Sequence, residues 1–526
     1  MTPARVLAIA RTDVRVRLSR GSSVALVVAL CILAYVMVPD ISTGRALMQV
    51  NGHRALYNSA TIALATSSLC AVLLGLLGFY LISNTVRRDL VTRTGFVIAS
   101  TPVRNSEYLA GKMLGNATFL SLIVLVYIAN VMGMQLLRGE APIEPLTYAT
   151  IFLAAVGPAV VVVAACALVF ECVRPLSGRI GDVLYFFVWV MLLSIPASTA
   201  DSLGRGIGAY LDVFGLAFLI NAANGQATGD FHAHPEVSIG SSRFDPARAP
   251  WHFDGVPWNL QVVETRVAAA ALAIPLLVLA WMAFARFDPA RVKQSGGGAR
   301  GALLARLGAP FAPLVRLAHP ESWAGPGLAR MALGEVGLSI MLHPILLAAA
   351  VAAAIAGAAV TDHALRAALL PILFVALIAG LADIPTRDRV ARVDGIRGGI
   401  SHDRALAVPA RLLGAVTLAL AFVAVPLVRM SVSAPRDALS LAIGAAFLAS
   451  AAVALGTLSR TPKLFAGLAM LFFYVVMNSP RETEFDFAGW NGAATNGVRV
   501  AYFVAAIALA AVAVLAEWHR TRTERS

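Results

Sequence analysis

The chain has 526 residues, 59% of them hydrophobic and only 13% charged, with a mean hydropathy of +0.77 and a net charge of +13. A soluble domain carries about a quarter charged residues, so this composition excludes a water-soluble globule, a disordered chain and a disulfide scaffold, and leaves an integral membrane protein. The basic residues fall in short segments between apolar runs, where they orient spans in a bilayer rather than bind nucleic acid.

Residues 5–20 place Arg5, Arg11, Arg15, Arg17 and Arg20 between Leu7, Ala10, Val14 and Leu18. This spacing predicts an amphipathic helix on the membrane surface. It precedes the first apolar run and is not followed by a small-residue cleavage site, so it does not read as a removable leader. A membrane helix needs about 20 apolar residues, and that length gives about twelve spans. In the first half they fall at 22–38, 59–82, 115–136, 148–170, 180–199 and 265–284. In the second they fall at 336–359, 366–382, 409–428, 438–458, 462–478 and 498–516. With the N-terminus inside, the inside segments take the larger share of Lys and Arg, which puts both termini in the cytoplasm.

Two connecting segments are long. Residues 200–264 are polar and external, with Trp251 and Trp258 expected at the lipid interface. Residues 286–335 are internal and contain the flexible run Ser295-Gly296-Gly297-Gly298. The expected domains are therefore a six-span unit over 1–285, a linker with a surface helix over 286–335, and a second six-span unit over 336–526.

A shift of 299 residues lays 87–115 over 386–414 without a gap. Arg88 then matches Arg387, Asp89 matches Asp388, Lys112 falls on Arg411 and Gly115 on Gly414. Each segment follows one span and leads into the next, on the same side of the bilayer. The expected fold is an all-α integral membrane protein of about twelve transmembrane helices in two parallel six-helix repeats.

The 83–112 segment is basic and helix-compatible, with Ser100-Thr101-Pro102 interrupting it. One reading is an ordinary solvated loop. The other is a short cytoplasmic helix that docks into another protein, with Arg88 and Asp89 making charge-assisted contacts to it.

With Asp89, Thr94, Ser100, Thr101, Pro102, Gly111 and Lys112 in these places, the segment resembles the loop between the second and third spans of type-2 ABC-exporter permeases. Arg93 stands where that family usually has glycine, and the second copy has Ser401-His402 in place of the Ser-Thr-Pro break. The resemblance implies a permease subunit of an ATP-driven exporter, a fused pair of six-span units in a bacterial inner membrane. It implies coupling residues Arg88, Asp89, Thr94 and Pro102, with Arg387 and Asp388 in the second copy. The chain has no G-x-x-x-x-G-K-[ST] phosphate loop. It is therefore expected to bind no cofactor itself, with ATP-Mg held by a separate ABC-type ATPase, in two copies, on the cytoplasmic face.

Lesser candidates read more plainly. His232, His234, His252 and Asp254 could bind a metal, but the expectation is a metal-free loop. His343-Pro344 reads as a hydrogen-bonded histidine beside a proline. Asn130 and Gln135 either line a substrate pathway or bond neighbouring helices. Glu171 and Asp182 are expected to pair with Arg174 and Arg179. Cys31, Cys70, Cys166 and Cys172 read as small buried hydrophobes. No catalytic set such as H-E-x-x-H or G-x-S-x-G occurs, which disfavours a membrane-embedded enzyme. A proton-coupled transporter of the major facilitator type remains the alternative, because it too joins twelve spans in a parallel duplication.

Overall fold

The structure, a computed structural model, describes residues 2–19, 22–199, 206–224, 237–287, 327–342, 344–391, 401–479 and 482–523. The chain divides into two compact units, Met1–Asp288 and Pro289–Ser526. Seven helices among the described residues are long and apolar enough to cross a membrane, and a bent pair, Leu406–Phe422 with Ala424–Ser433 (63°), makes an eighth. The protein is thus a helical multi-pass membrane protein. Backbone groups in lipid must be satisfied within the chain, and helices do this residue by residue.

In the first unit α1 (Pro3–Leu18) precedes α2 (Ser22–Met37). A small antiparallel sheet follows, built from β1 (Arg45–Val50) and β2 (His53–Arg54), and α3 (Ser59–Leu73) then begins at Asn58, whose side chain accepts the Thr61 N–H. Next come the short helices α4 (Thr85–Val91) and α5 (Thr94–Ser100). Then come α6 (Asn105–Arg138), α7 (Pro145–Cys172) and α8 (Arg179–Thr199). The long segment after α8 contributes α9 (Leu216–Asn224) and β3 (Val237–Arg243), and the unit closes with α10 (Leu260–Ala271) and α11 (Ala273–Ala283).

The amphipathic helix is more than a surface float. Ala10, Asp13 and Arg17 share one face of α1 and are buried, because α6 offers glycines four residues apart to receive it. A Cβ on Gly111 would lie 2.7 Å from Ile9 Cβ, and one on Gly115 would lie 3.3 Å from both Ala10 Cα and Asp13 Cβ. Small residues allow such close backbone approach between membrane helices. Glu107 completes the joint by accepting the Thr2 N–H (2.7 Å) and the Arg104 N–H (3.0 Å).

Below α3 the helix widens into a π turn, Leu74–Gly78. Carbonyls loosened by such a turn need new donors. Tyr185 Oη donates to Gly75 O at 2.5 Å and Trp189 Nε1 to Val72 O at 3.1 Å, both from α8.

The sheet is an addition to the expected all-helical picture. Its order is β2-β1-β3, with Val50 opposite Val237. Trp251 is buried there, bridging Ala55 and lying against Phe253. Its ring is therefore packed inside the protein rather than at the lipid interface expected for it. Trp258 remains half exposed.

In the second unit α12 (Leu328–Leu342) and α13 (Pro344–Ala359) flank residue 343, which lies outside the described residues. After a π turn come α14 (Leu370–Leu381) and the short α15 (Arg387–Ala391). Next are α16 (Ser401–Phe422), α17 (Ala424–Ser433), α18 (Pro435–Ser459), α19 (Pro462–Asn478) and α20 (Asn496–Thr523). Phe374, Phe472, Phe487 and Trp490 make edge-to-face contacts at one end of this unit.

Candidate coupling site

The span containing α3 ends at Ile82, and Asn84 takes a left-handed turn (φ 78°) that starts α4 in a new direction. Arg88 and Asp89 sit mid-helix on α4. Asp89 Oδ2 lies 2.6 Å from Lys112 Nζ and accepts from Tyr108 Oη at 2.8 Å. Lys112 Nζ is also 3.0 Å from Asp13 Oδ2, and Arg88 Nη2 pairs with Asp13 Oδ1. Two carboxylates and two cations thus lock α1, α4 and α6 together. Charges taken out of water are tolerated when paired this closely.

Asp89 is 6% exposed, and its contacts with Lys112 and Tyr108 hold α4 against α6. Arg88 is half buried over Asp13.

The outward residues lie further along. Arg93 adopts φ 62° between α4 and α5. Only glycine takes such a left-handed corner without cost. Thr94 opens α5, its hydroxyl 2.6 Å from that of Thr92 and 3.3 Å from Asp89 O. Phe96 and Val97 project outward, 39% and 65% exposed. Gly95 faces inward, where a Cβ would meet the Phe287 ring at 2.6 Å. Thr101 is extended and ends the helix, and the Pro102 carbonyl accepts from Arg5 Nη1 at 3.0 Å. The Ser-Thr-Pro break is therefore a real corner.

A second charge cluster stands in the second unit. Arg411 Nη2 is 2.5 Å from Asp388 Oδ2, and Arg411 Nε is 4.0 Å from Glu335 Oε1. Arg387 pairs with Asp383 at 3.2 Å and Glu335 at 3.6 Å, and donates to Ser339 Oγ at 2.6 Å. Glu335 comes from α12, as Asp13 comes from α1. A Cβ on Gly414 would lie 2.9 Å from Glu335 Cβ and from Ala332 O. Residues 392–400, the rest of that loop, lie outside the described residues, as do the side chains of Ser401 and His402.

Other candidates resolve locally. Gln135 is buried, accepting from Tyr148 Oη at 2.6 Å and donating to Ser59 Oγ at 3.1 Å. It ties α3, α6 and α7 together, the second of the two readings open for it. Asn130 accepts from Cys31 Sγ at 3.0 Å. Cys31 is exposed, unlike Cys70, Cys166 and Cys172. His252 Nε2 lies 3.1 Å from Asp254 Oδ1, and no group of three metal-binding side chains occurs among the described residues. His232, His234, His343 and the 295–298 run lie outside them.

Sequence reasoning missed Asp13, Tyr108 and Glu335 as members of the clusters. A signal for Asp13 existed: it is the lone acid in an arginine-rich helix and shares a face with Ala10 and Arg17. It also missed the place of Glu171, whose carboxylate accepts backbone N–H groups at the start of α4. No protein-family model, curated protein or solved structure matches this chain.

Proposed function

We propose that this chain is the permease of an ATP-driven ABC exporter of the type-2 kind, a fused pair of six-span units in a bacterial inner membrane. The observation that carries the reading is the pair of buried charge clusters. In each unit an acid from an early helix meets an Arg-Asp pair after a span and a base at the start of the next long helix. A loop that takes up force from a companion protein must be fixed rigidly to the spans it moves, and such a cluster supplies that fixity.

The duplication draws support from the same residues. Asp13 and Ala10 precede Glu335 and Ala332 by a common interval, and Gly115 and Gly414 face them in the same manner. Seven long spans, the bent pair and the shorter apolar helices Leu26–Met37, Gly181–Pro196, Ala350–Ala359 and Pro462–Asn478 together make twelve. In this reading the repeats are parallel, both termini are cytoplasmic, and α4–α5 faces the cytoplasm. Phe96 and Val97 give an ATPase an apolar foothold, and Arg87, Arg93 and Arg104 in the same stretch of chain are exposed. ATP-Mg sits on that separate ATPase, in two copies, and its closure shifts the bundle from inward-open to outward-open.

Purification of the tagged chain from its native membrane tests the proposal. An ABC-type ATPase is expected to copurify, with hydrolysis that depends on the permease. Transport driven by a proton gradient with no ATPase bound would overturn it in favour of a secondary transporter.

A further inference from the structure

The coupling hairpin is held at both of its outer ends by charges that match the helix polarity there. The first N–H groups of a helix have no intrahelical partner and carry partial positive charge. At the start of α4 these groups point at Glu171, next to the last residue of α7. Glu171 Oε1 accepts the Thr85 N–H at 3.0 Å and its hydroxyl at 3.2 Å. Oε2 accepts the Val86 N–H at 2.6 Å and the Arg87 N–H at 3.2 Å. One carboxylate from another span thus satisfies three orphan donors.

At the far end the last carbonyls of α5 carry partial negative charge. Arg286, just past α11, donates from Nη2 to Thr101 O at 3.1 Å and to Ala99 O at 3.4 Å, and from Nη1 to Asn105 Oδ1 at 3.3 Å. Arg286 and Phe287 both adopt positive φ, 44° and 57°. Such a conformation costs energy for residues with a side chain and persists only where contacts demand it. Here it turns the guanidinium onto α5 while the Phe287 ring covers Gly95 and meets Tyr108 edge-on.

We infer that Glu171 and Arg286 are positioning residues that anchor the coupling hairpin to the fourth and sixth spans of the first unit, so that displacement of the hairpin passes directly to those spans. The inference rests on the exporter reading for its functional half. In the second unit Pro385 lies against α18 at Gly456, where a Cβ would come within 2.1 Å of the proline ring, and Asp383 beside it pairs with Arg387 at 3.2 Å.

The test uses the full chain in nanodiscs of phosphatidylethanolamine and phosphatidylglycerol. Hydrogen exchange is followed over 85–91 and 99–105 in E171A, E171Q, R286A and R286K. E171A is expected to speed exchange at 85–87 by about ten-fold or more, the loss of a charge-assisted hydrogen bond, with E171Q intermediate because its amide oxygen still accepts. R286A is expected to act at 99–105 alone, and R286K to restore it in part. With the copurified ATPase, E171A is expected to lower kcat for ATP hydrolysis while leaving KM for ATP unchanged. Unaltered exchange in E171A, or faster exchange with an unaltered kcat, would overturn the inference. Lack of an ATPase on the wild-type chain would instead overturn the exporter reading and leave the exchange result to decide the anchoring.

Discussion

Gly115 meets Asp13 across the contact between α6 and α1: a methyl on the glycine would stand 3.3 Å from the aspartate Cβ. The closeness brings the Asp13 carboxylate within reach of Lys112, three residues earlier on the same helix. Backbone approach and charge pairing are therefore one arrangement, and a side chain at 115 loosens both. G115V is expected to destabilise the protein by about 1–3 kcal/mol through overpacking. It should also expose Lys112 to modification by an amine reagent in the membrane-bound protein. A thermal midpoint and labelling identical to wild type would refute the coupling of the two features.

Lys112 is the cation shared by both carboxylates. K112M leaves Asp13 and Asp89 buried with Arg88 alone to balance them, and removing one member of such a pair costs about 3–5 kcal/mol. The combination K112M/D89L restores neutrality and is expected to recover much of that loss in a thermal unfolding series. If the double variant is as unstable as the sum of its parts, the charges act independently.

Arg93 pays a conformational penalty that glycine would avoid. R93G is expected to leave the thermal midpoint unchanged or slightly raised, and R93V to lower stability by about 1 kcal/mol or more, since a β-branched residue resists positive φ. Equal stability of the two variants would argue against the left-handed corner.

Hydrogen bonds from Arg54 (2.8 and 2.9 Å), aided by the Tyr57 N–H, hold the Glu140 carboxyl below its ordinary value of 4.5, against the opposing effect of partial burial. A carboxylate depressed on folding stabilises above its unfolded pKa, and the gain is lost as pH falls through the folded value. Stability is therefore expected to drop below about pH 4.5 by roughly 0.5–1 kcal/mol, allowing for solvent screening. E140Q should remove that increment of the acid slope. An unchanged slope in the variant would assign it to other groups.

The long spans were legible because apolar length is a property of composition and survives any tertiary context. The corner at Ser100-Thr101-Pro102 was legible because proline restricts the residue before it. The strand Arg45–Val50 was not: five of its six residues are buried, so it lacks the alternation that marks a half-exposed strand. Asp89 looked like a surface contact because its partners, Tyr108 and Lys112, come from the next long helix and meet it only once α4 folds against α6. Glu171 has arginines three and eight residues downstream that suggest local pairing, while its observed partners are backbone N–H groups more than eighty residues away. Main-chain donors have no signature in a sequence.

The quartet of Asp13, Arg88, Asp89 and Lys112 sums to zero. A neutral knot in which Arg88 alone keeps partial contact with water feels little of the salt around it, and it constrains how the gene can drift. Exchanges that keep sign, lysine for arginine or aspartate for glutamate, pass with local repacking. A lone change of sign strands an ion in an oily interior, so departures at these four places must arrive in compensating couples.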